Sequence, residues 1–176
     1  MSYHVAPHNE KLTYLLSGAT WKLEFAPAAL HTLYTHRQRY RSQKEKVGQL
    51  YTRDLTQPLI RVEKASLLAA SRSTFASVSF DPKTAYRERV LLLQQGLHCI
   101  GLWHSHPEAQ PHPSHEDLLL IADHAKAAQR NLAGLVFVIV GTRPFPGGLF
   151  VGVHDGSQML TMAISENDEL LSAPQN

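Results

Sequence analysis

At 176 residues with 43% apolar content, the chain is long enough for one domain around a single buried core, and its formal net charge of +2 is too small to point to nucleic acid. Its one cysteine excludes a disulfide framework and a cysteine-rich zinc site, and no apolar run nears the roughly 20 residues of a membrane span. The first residues lack the unbroken apolar stretch of a signal peptide, so a cytoplasmic protein with no membrane partner is expected.

Residues 1–19 read as an N-terminal extension of weak periodicity, 20–165 as the domain and 166–176 as a C-terminal tail. Residues 20–25 (TWKLEF) alternate as a strand does. Pro27 suits a first helical turn, and 28–42 have the mixed spacing of a helix. The run HRQRYRSQKEK at 36–46 sets Arg37, Arg39, Arg41, Lys44 and Lys46 against one acid, Glu45. A solvated face explains this run more simply than a phosphate-binding patch. Strands are expected at 47–54, at 59–65 after Pro58, and at 72–80. Asp81-Pro82 then opens a helix twice over, as an N-cap and as a residue whose missing N–H costs nothing at the first position. Gly96 ends that helix near Gln95.

The apolar run 97–103 predicts a central buried strand, in which Cys99 acts as a small hydrophobe. A helix is expected over 114–129, and strands over 134–140 (GLVFVIV) and 149–154, joined through PFPGG. Alternating helices and strands make this an α/β or α+β chain with helices flanking one sheet.

Between the strand and helix lies GLWHSHPEAQPHPSHEDL, which holds four of the eleven histidines. Neutral histidine is the commonest metal ligand. His104 and His106 are two apart at a strand end, so both imidazoles point to one side. Pro107 breaks the strand, and Pro111 and Pro113 stiffen the spacer. Ser114 precedes the helix and Asp117 lies in its first turn. Two His and one Asp leave a fourth tetrahedral position for water, as in catalytic zinc sites. Ser114 with Asp117 also fits an ordinary cap, without any metal.

Taken together, the residues resemble the JAMM, or MPN-plus, metalloproteases. The pattern H-x-H-P, six residues, S-x-x-D stands complete as His104-Ser105-His106-Pro107, EAQPHP and Ser114-His115-Glu116-Asp117. The family's upstream E-x-x-G is matched by Glu45-Lys46-Val47-Gly48, and Trp103 before the first histidine also suits it. The resemblance implies the mixed-sheet, cytidine deaminase-like architecture. It implies Zn²⁺ held by His104, His106 and Asp117, Glu45 as general base and Ser114 as oxyanion donor. Gly48 is expected to let strand and substrate approach closely. Glu116 is one residue short of the ligand position, His112 and His115 are expected in solvent, and Glu10, Glu24 and Glu63 are competing upstream carboxylates.

The resemblance further implies a compact prokaryotic deubiquitinase-like enzyme. It would cleave after the C-terminal glycine of a ubiquitin-like protein, beside ubiquitin-activating-like and conjugating-like enzymes, including in anti-phage defence. A sulfur-carrier processing peptidase, a RadC-like protein and a non-enzymatic MPN scaffold are the alternatives. Segments 63–74 and 143–148 are the expected substrate-selecting insertions.

Overall fold

The computed structural model describes residues 11–40, 42–74 and 77–166. The chain begins with β1 (Leu12–Leu15), β2 (Lys22–Phe25), α1 (Pro27–Thr35) and β3 (Val47–Thr52). Next come β4 (Leu59–Val62), β5 (Lys64–Ala65), β6 (Ala70–Thr74), β7 (Ser77–Phe80) and α2 (Pro82–Gln94). Then follow β8 (His98–Ser105), α3 (His115–Ala128), β9 (Leu135–Val140), β10 (Leu149–His154), β11 (Met159–Thr161) and β12 (Ala163–Ile164).

The α/β class and the flanking helices agree with the sequence, but the strands divide between two main sheets. A six-stranded sheet runs β11-β10-β9-β8-β3-β5, and a four-stranded sheet runs β12-β1-β2-β4. The expected strand at 59–65 splits because β4 pairs parallel with β2 while β5 pairs antiparallel with β3. The expected strand at 72–80 folds back on itself as the β6–β7 hairpin, with Thr74 opposite Ser77. Within the stretch read as an extension, β1 pairs with both β2 and β12, so it belongs to the folded body. The first helix is shorter than its pattern suggests and ends at Thr35, capped at His36.

Apolar side chains cover both faces of the central sheet. One face carries Leu50, Ile100, Trp103, Val136 and Val138, and packs against Leu30 and Leu33 of α1 and against Leu23 and Phe25 of the second sheet. The opposite face carries Val47, Leu102, Phe137 and Ile139, and packs against Ala85 of α2 and Ile121 and Ala125 of α3. Asp81 caps α2 by accepting from the Lys83 and Thr84 amides, Pro82 occupies its first turn, and Gly96 follows at φ 73°. A polar clasp anchors this helix: Glu88 Oε1 accepts from Ser66 Oγ (2.6 Å), Tyr51 OH (2.7 Å) and Gln49 Nε2 (3.0 Å). Among the described residues no helix is long and apolar enough to cross a membrane.

Gly48 lies opposite Trp103 across the β3–β8 pair. Trp103 is fully buried and its Nε1–H donates to the Ser66 carbonyl at 2.8 Å. A Cβ on Gly48 would run into that carbonyl and the indole nitrogen. The close approach that requires glycine is therefore internal, and the expectation that it makes room for substrate is corrected. Gly48→Ala should lower stability by about 1–3 kcal/mol, the scale of overpacking in a tight core. Gly147→Ala, whose Cβ would meet nothing nearer than Pro144 O at 3.7 Å, should change it by no more than about 0.5 kcal/mol. Equal melting temperatures for the two variants would refute this account of Gly48.

Candidate metal centre

A one-residue irregularity in β8 decides which way the histidines face. Leu50 pairs with Gly101 but Tyr51 pairs with Cys99, so Ile100 is bulged. The bulge lets Ile100 and Trp103 share one face although they are three apart, and it sends Leu102 to the other face with α3. Gly101 beside it has no room for a side chain, since a Cβ would strike the Val136 carbonyl. His104 follows Leu102 on the α3 side and meets Phe137 with ring centroids 5.2 Å apart.

The end of β8 is clamped on both sides. Ser105 N–H donates to Lys46 O (2.9 Å), Lys46 N–H donates to Ser105 Oγ (2.9 Å), and His106 N–H donates to Val140 O (2.8 Å). With Val47 opposite His104, the antiparallel register carries Glu45 across from His106. The spacer after His106 is tied down as well, because Thr142 N–H donates to Glu108 O at 2.8 Å.

Asp117 arrives from α3. Ser114 Oγ accepts from the Asp117 amide (3.1 Å) while Asp117 Oδ2 accepts from the Ser114 amide (2.7 Å) and hydroxyl (2.8 Å). This reciprocal capping box satisfies the helix start and fixes the carboxylate rotamer. Asp117 Oδ1 then lies 3.2 Å from His104 Nε2, and Oδ2 lies 3.4 Å from His106 Nε2. The two Nε2 atoms are 2.8 Å apart.

The two His–Asp spacings suit one small ion, around which the two Nε2 atoms, now 2.8 Å apart, would open by about half an ångström. Tetrahedral bonds of about 2.0–2.2 Å place neighbouring ligand atoms roughly 3.3–3.6 Å apart, and two imidazoles with a carboxylate are a zinc donor set. The electrostatics agree. Burial pushes His104 down to about 4, only partly offset by Asp117, so its imidazole is neutral and able to ligate at pH 7. Burial also opposes the charge on His106, but hydrogen bonds to Asp117 and Glu108 outweigh it and raise the group overall. Burial works against the Asp117 charge too, yet His106, His104 and Ser114 hold its carboxyl well below the usual range. Glu45 is raised, first by burial and then by the charges of Asp117 and Glu108, against a lowering pull from His106. Three carboxylates around two imidazoles leave a surplus of negative charge that a divalent cation would neutralise.

The structure thus brings His104, His106 and Asp117 together and sets Glu45 beside them. Ser114 is there too, with its hydroxyl committed to Asp117. Glu24 is elsewhere, on the second sheet, held by Arg61 (2.6 Å) and Lys11 (3.6 Å). Glu63 falls between β4 and β5, and Glu10 lies outside the described residues. His112, His115 and Glu116 are exposed. Cys99 lies off the site, and burial pushes its thiol up to about 11, which leaves it unreactive near pH 7.

Sequence reasoning missed Glu108. Its Oε2 accepts from His106 Nδ1 at 2.9 Å, which presents Nε2 to the other donors. A carboxylate on the far nitrogen of a ligating histidine is a common metal-site support. The only sequence signal is its place two residues after His106, inside a spacer that reads as structural.

A family model described as prokaryotic homologs of the JAB domain matches residues 27–151. The solution structure of a protein from Desulfitobacterium hafniense has a TM-score of 0.56 at 20% identity, covering 81% of this chain and 88% of that one. At that identity the likeness speaks for the fold alone. No curated protein matches the chain.

Freshly purified protein should hold about one zinc per chain, the number one three-donor site can take, and His104→Ala should hold none. Glu108→Ala should weaken zinc about 10–100-fold, the usual cost of losing such a support, without unfolding the protein. Competition against a chromophoric chelator measures both, and unchanged affinity in Glu108→Ala would remove Glu108 from the centre.

Proposed function

This chain belongs to the family of prokaryotic homologs of the JAB domain, and from that premise we propose that it is a zinc-dependent peptidase. It cleaves after the C-terminal glycine of a ubiquitin-like protein, releasing the modifier from a conjugate or maturing its precursor. Enzymes that activate and conjugate the modifier would be its functional partners.

The observation that carries the reading is the position of Glu45. It stands across from His106, is half-buried, and interacts with His106 and Asp117 without joining the three converging donors. A carboxylate beside a ligand set but outside it is placed to handle protons. Zinc bound by His104, His106 and Asp117 would supply a nucleophilic water at neutral pH by lowering its pKa to about 7. Glu45 would take the proton from that water and pass it to the leaving amine, and burial raises its carboxyl in the direction a general base needs. Ser114 keeps Asp117 aligned, and its hydroxyl can turn to a developing oxyanion when substrate arrives.

A cleft of about 280 Å³ opens beside His104 and Asp117, walled by Val47, Leu102 and Phe137 and rimmed by Leu119, which is 56% exposed. The apolar wall suits a substrate tail without charged side chains, which is compatible with a glycine end.

A fusion of the cognate modifier to a reporter should be cut at the terminal glycine. Glu45→Gln should keep its zinc and lose at least about 10²-fold in rate, the scale of a lost general base. Asp117→Asn should lose zinc affinity and rate together, and Glu24→Gln, whose carboxylate pairs with Arg61 and Lys11 on the second sheet, should remain active. Normal turnover by Glu45→Gln with zinc bound would contradict this assignment, and equal cutting of unrelated unfolded peptides would contradict the substrate.

A further inference from the structure

Helices α2 and α3 both pack on one face of the central sheet, yet they do not close on each other. Between them runs a groove of about 500 Å³. Arg89 and Leu93 of α2 wall one side, His124 and Ala127 of α3 wall the other, and Leu102 and Leu135 of the sheet form the floor. The α2 wall continues out of the groove as an apolar face. Tyr86, Val90 and Leu93 recur at i, i+4 and i+7 and are 64%, 39% and 54% exposed, whereas Ala85 and Leu92 carry the buried face of the same helix. Large apolar side chains at that spacing are what one helix presents to another. Here they are left uncovered.

Charge supplies a second, independent observation. Arg89 lies on the same side of α2 and is half-buried. Among the described residues it makes no ion pair, and its Nε–H reaches only the Ala85 carbonyl of its own helix, at 3.4 Å. His124 shares the groove with it, and burial, followed by the Arg89 charge, pushes that imidazole below its ordinary value. No acid lines the groove. Glu88 is committed to the clasp with Ser66, Tyr51 and Gln49, and Asp123 lines the metal cleft instead. A half-desolvated cation without a counter-charge is unfavourable, so the complement of this surface carries a carboxylate beside an apolar stripe. A second copy of the chain is matched less well, because Lys83, Arg87 and Arg89 of one α2 would meet those of the other. A free fatty acid would answer Arg89 and the groove but leave Tyr86 and Val90 bare.

We propose that the groove between α2 and α3 docks an amphipathic helix of another protein, with its apolar stripe along Tyr86, Val90 and Leu93 and a flanking carboxylate paired with Arg89. Leu102 lines this groove and the metal cleft alike, so the docked partner adjoins the metal centre. Docking does not depend on the peptidase reading.

Fluorescence anisotropy on the zinc-loaded full chain reads the docking directly. The probe is a fluorescein-labelled peptide of about four helical turns, with leucine along one face and glutamate on both flanks. It should bind saturably. Arg89→Gln keeps most of the wall, removes the charge and should weaken binding about threefold, the scale of one partly exposed ion pair. Arg89→Glu/Leu93→Glu should weaken it at least about tenfold, since an apolar anchor is lost as well. Leu91→Glu changes a residue of α2 that is 55% exposed but lies outside the groove, and it should bind like the parent. No binding by the parent, unchanged binding by both Arg89 variants, an equal loss in Leu91→Glu, or tighter binding of a lysine-flanked twin of the peptide would overturn the proposal. Displacement of the peptide by lower concentrations of oleate would overturn it in favour of a lipid. A parent dimer that Leu93→Glu alone turns into a monomer would overturn it in favour of a second copy.

Discussion

The pairing of β3 with β8 is the constraint on which the site depends. Because residues alternate between faces, a slip of one position would exchange the faces of Glu45, Val47, His104 and His106 relative to their partners. Several contacts hold the pairing in place. The Ile100 bulge resets the alternation, Trp103 locks over Gly48 onto the Ser66 carbonyl, and the Lys46–Ser105 exchange clamps the end of the ladder. Each is a core or backbone interaction with no chemistry of its own, yet together they decide that a carboxylate and two imidazoles meet.

Asp117 shows how one side chain serves fold and site at once. Its Oδ2 completes the α3 capping box, and the same geometry turns Oδ1 towards His104. Burial opposes the Asp117 charge, and His106 and His104, with the Ser114 cap after them, outweigh it and hold the carboxyl low. Glu45 has no such cap and is raised first by burial and then by the charges of Asp117 and Glu108, against a lowering pull from His106, so two nearby carboxylates are suited to different tasks. Glu108 completes the arrangement from the spacer, which is itself bonded to the strand end beyond β9 through Thr142.

Much of this was legible in the sequence wherever the signal is local. H-x-H-P and S-x-x-D specify a strand end and a helix start, and Asp81-Pro82 and Gly96 bracket α2 where they predict. Long-range pairing was not legible. The strand β1 is four residues long, and its partners lie at 22–25 and 163–164, so no window of local sequence exposes it. The split between β4 and β5 depends on two different partner strands, and the hairpin hides in a run whose β-propensity is continuous. Helix α1 stops early because the residues after it brace a turn through Gln38 and Gln43, contacts that an amphipathic pattern does not encode. Gly48 was singled out for the right spacing and the wrong reason, since the group that needs its space is Trp103.

The central claim is that three side chains take the metal and Glu45 stays outside them. Crystals of the purified protein, with anomalous data collected on both sides of the zinc absorption edge, test it most directly. The account predicts one zinc peak bonded to His104 Nε2, His106 Nε2 and Asp117 Oδ1, with the Glu45 carboxylate reaching it only through a water. A peak bonded directly to Glu45, or one that leaves out any of the three donors, would contradict it.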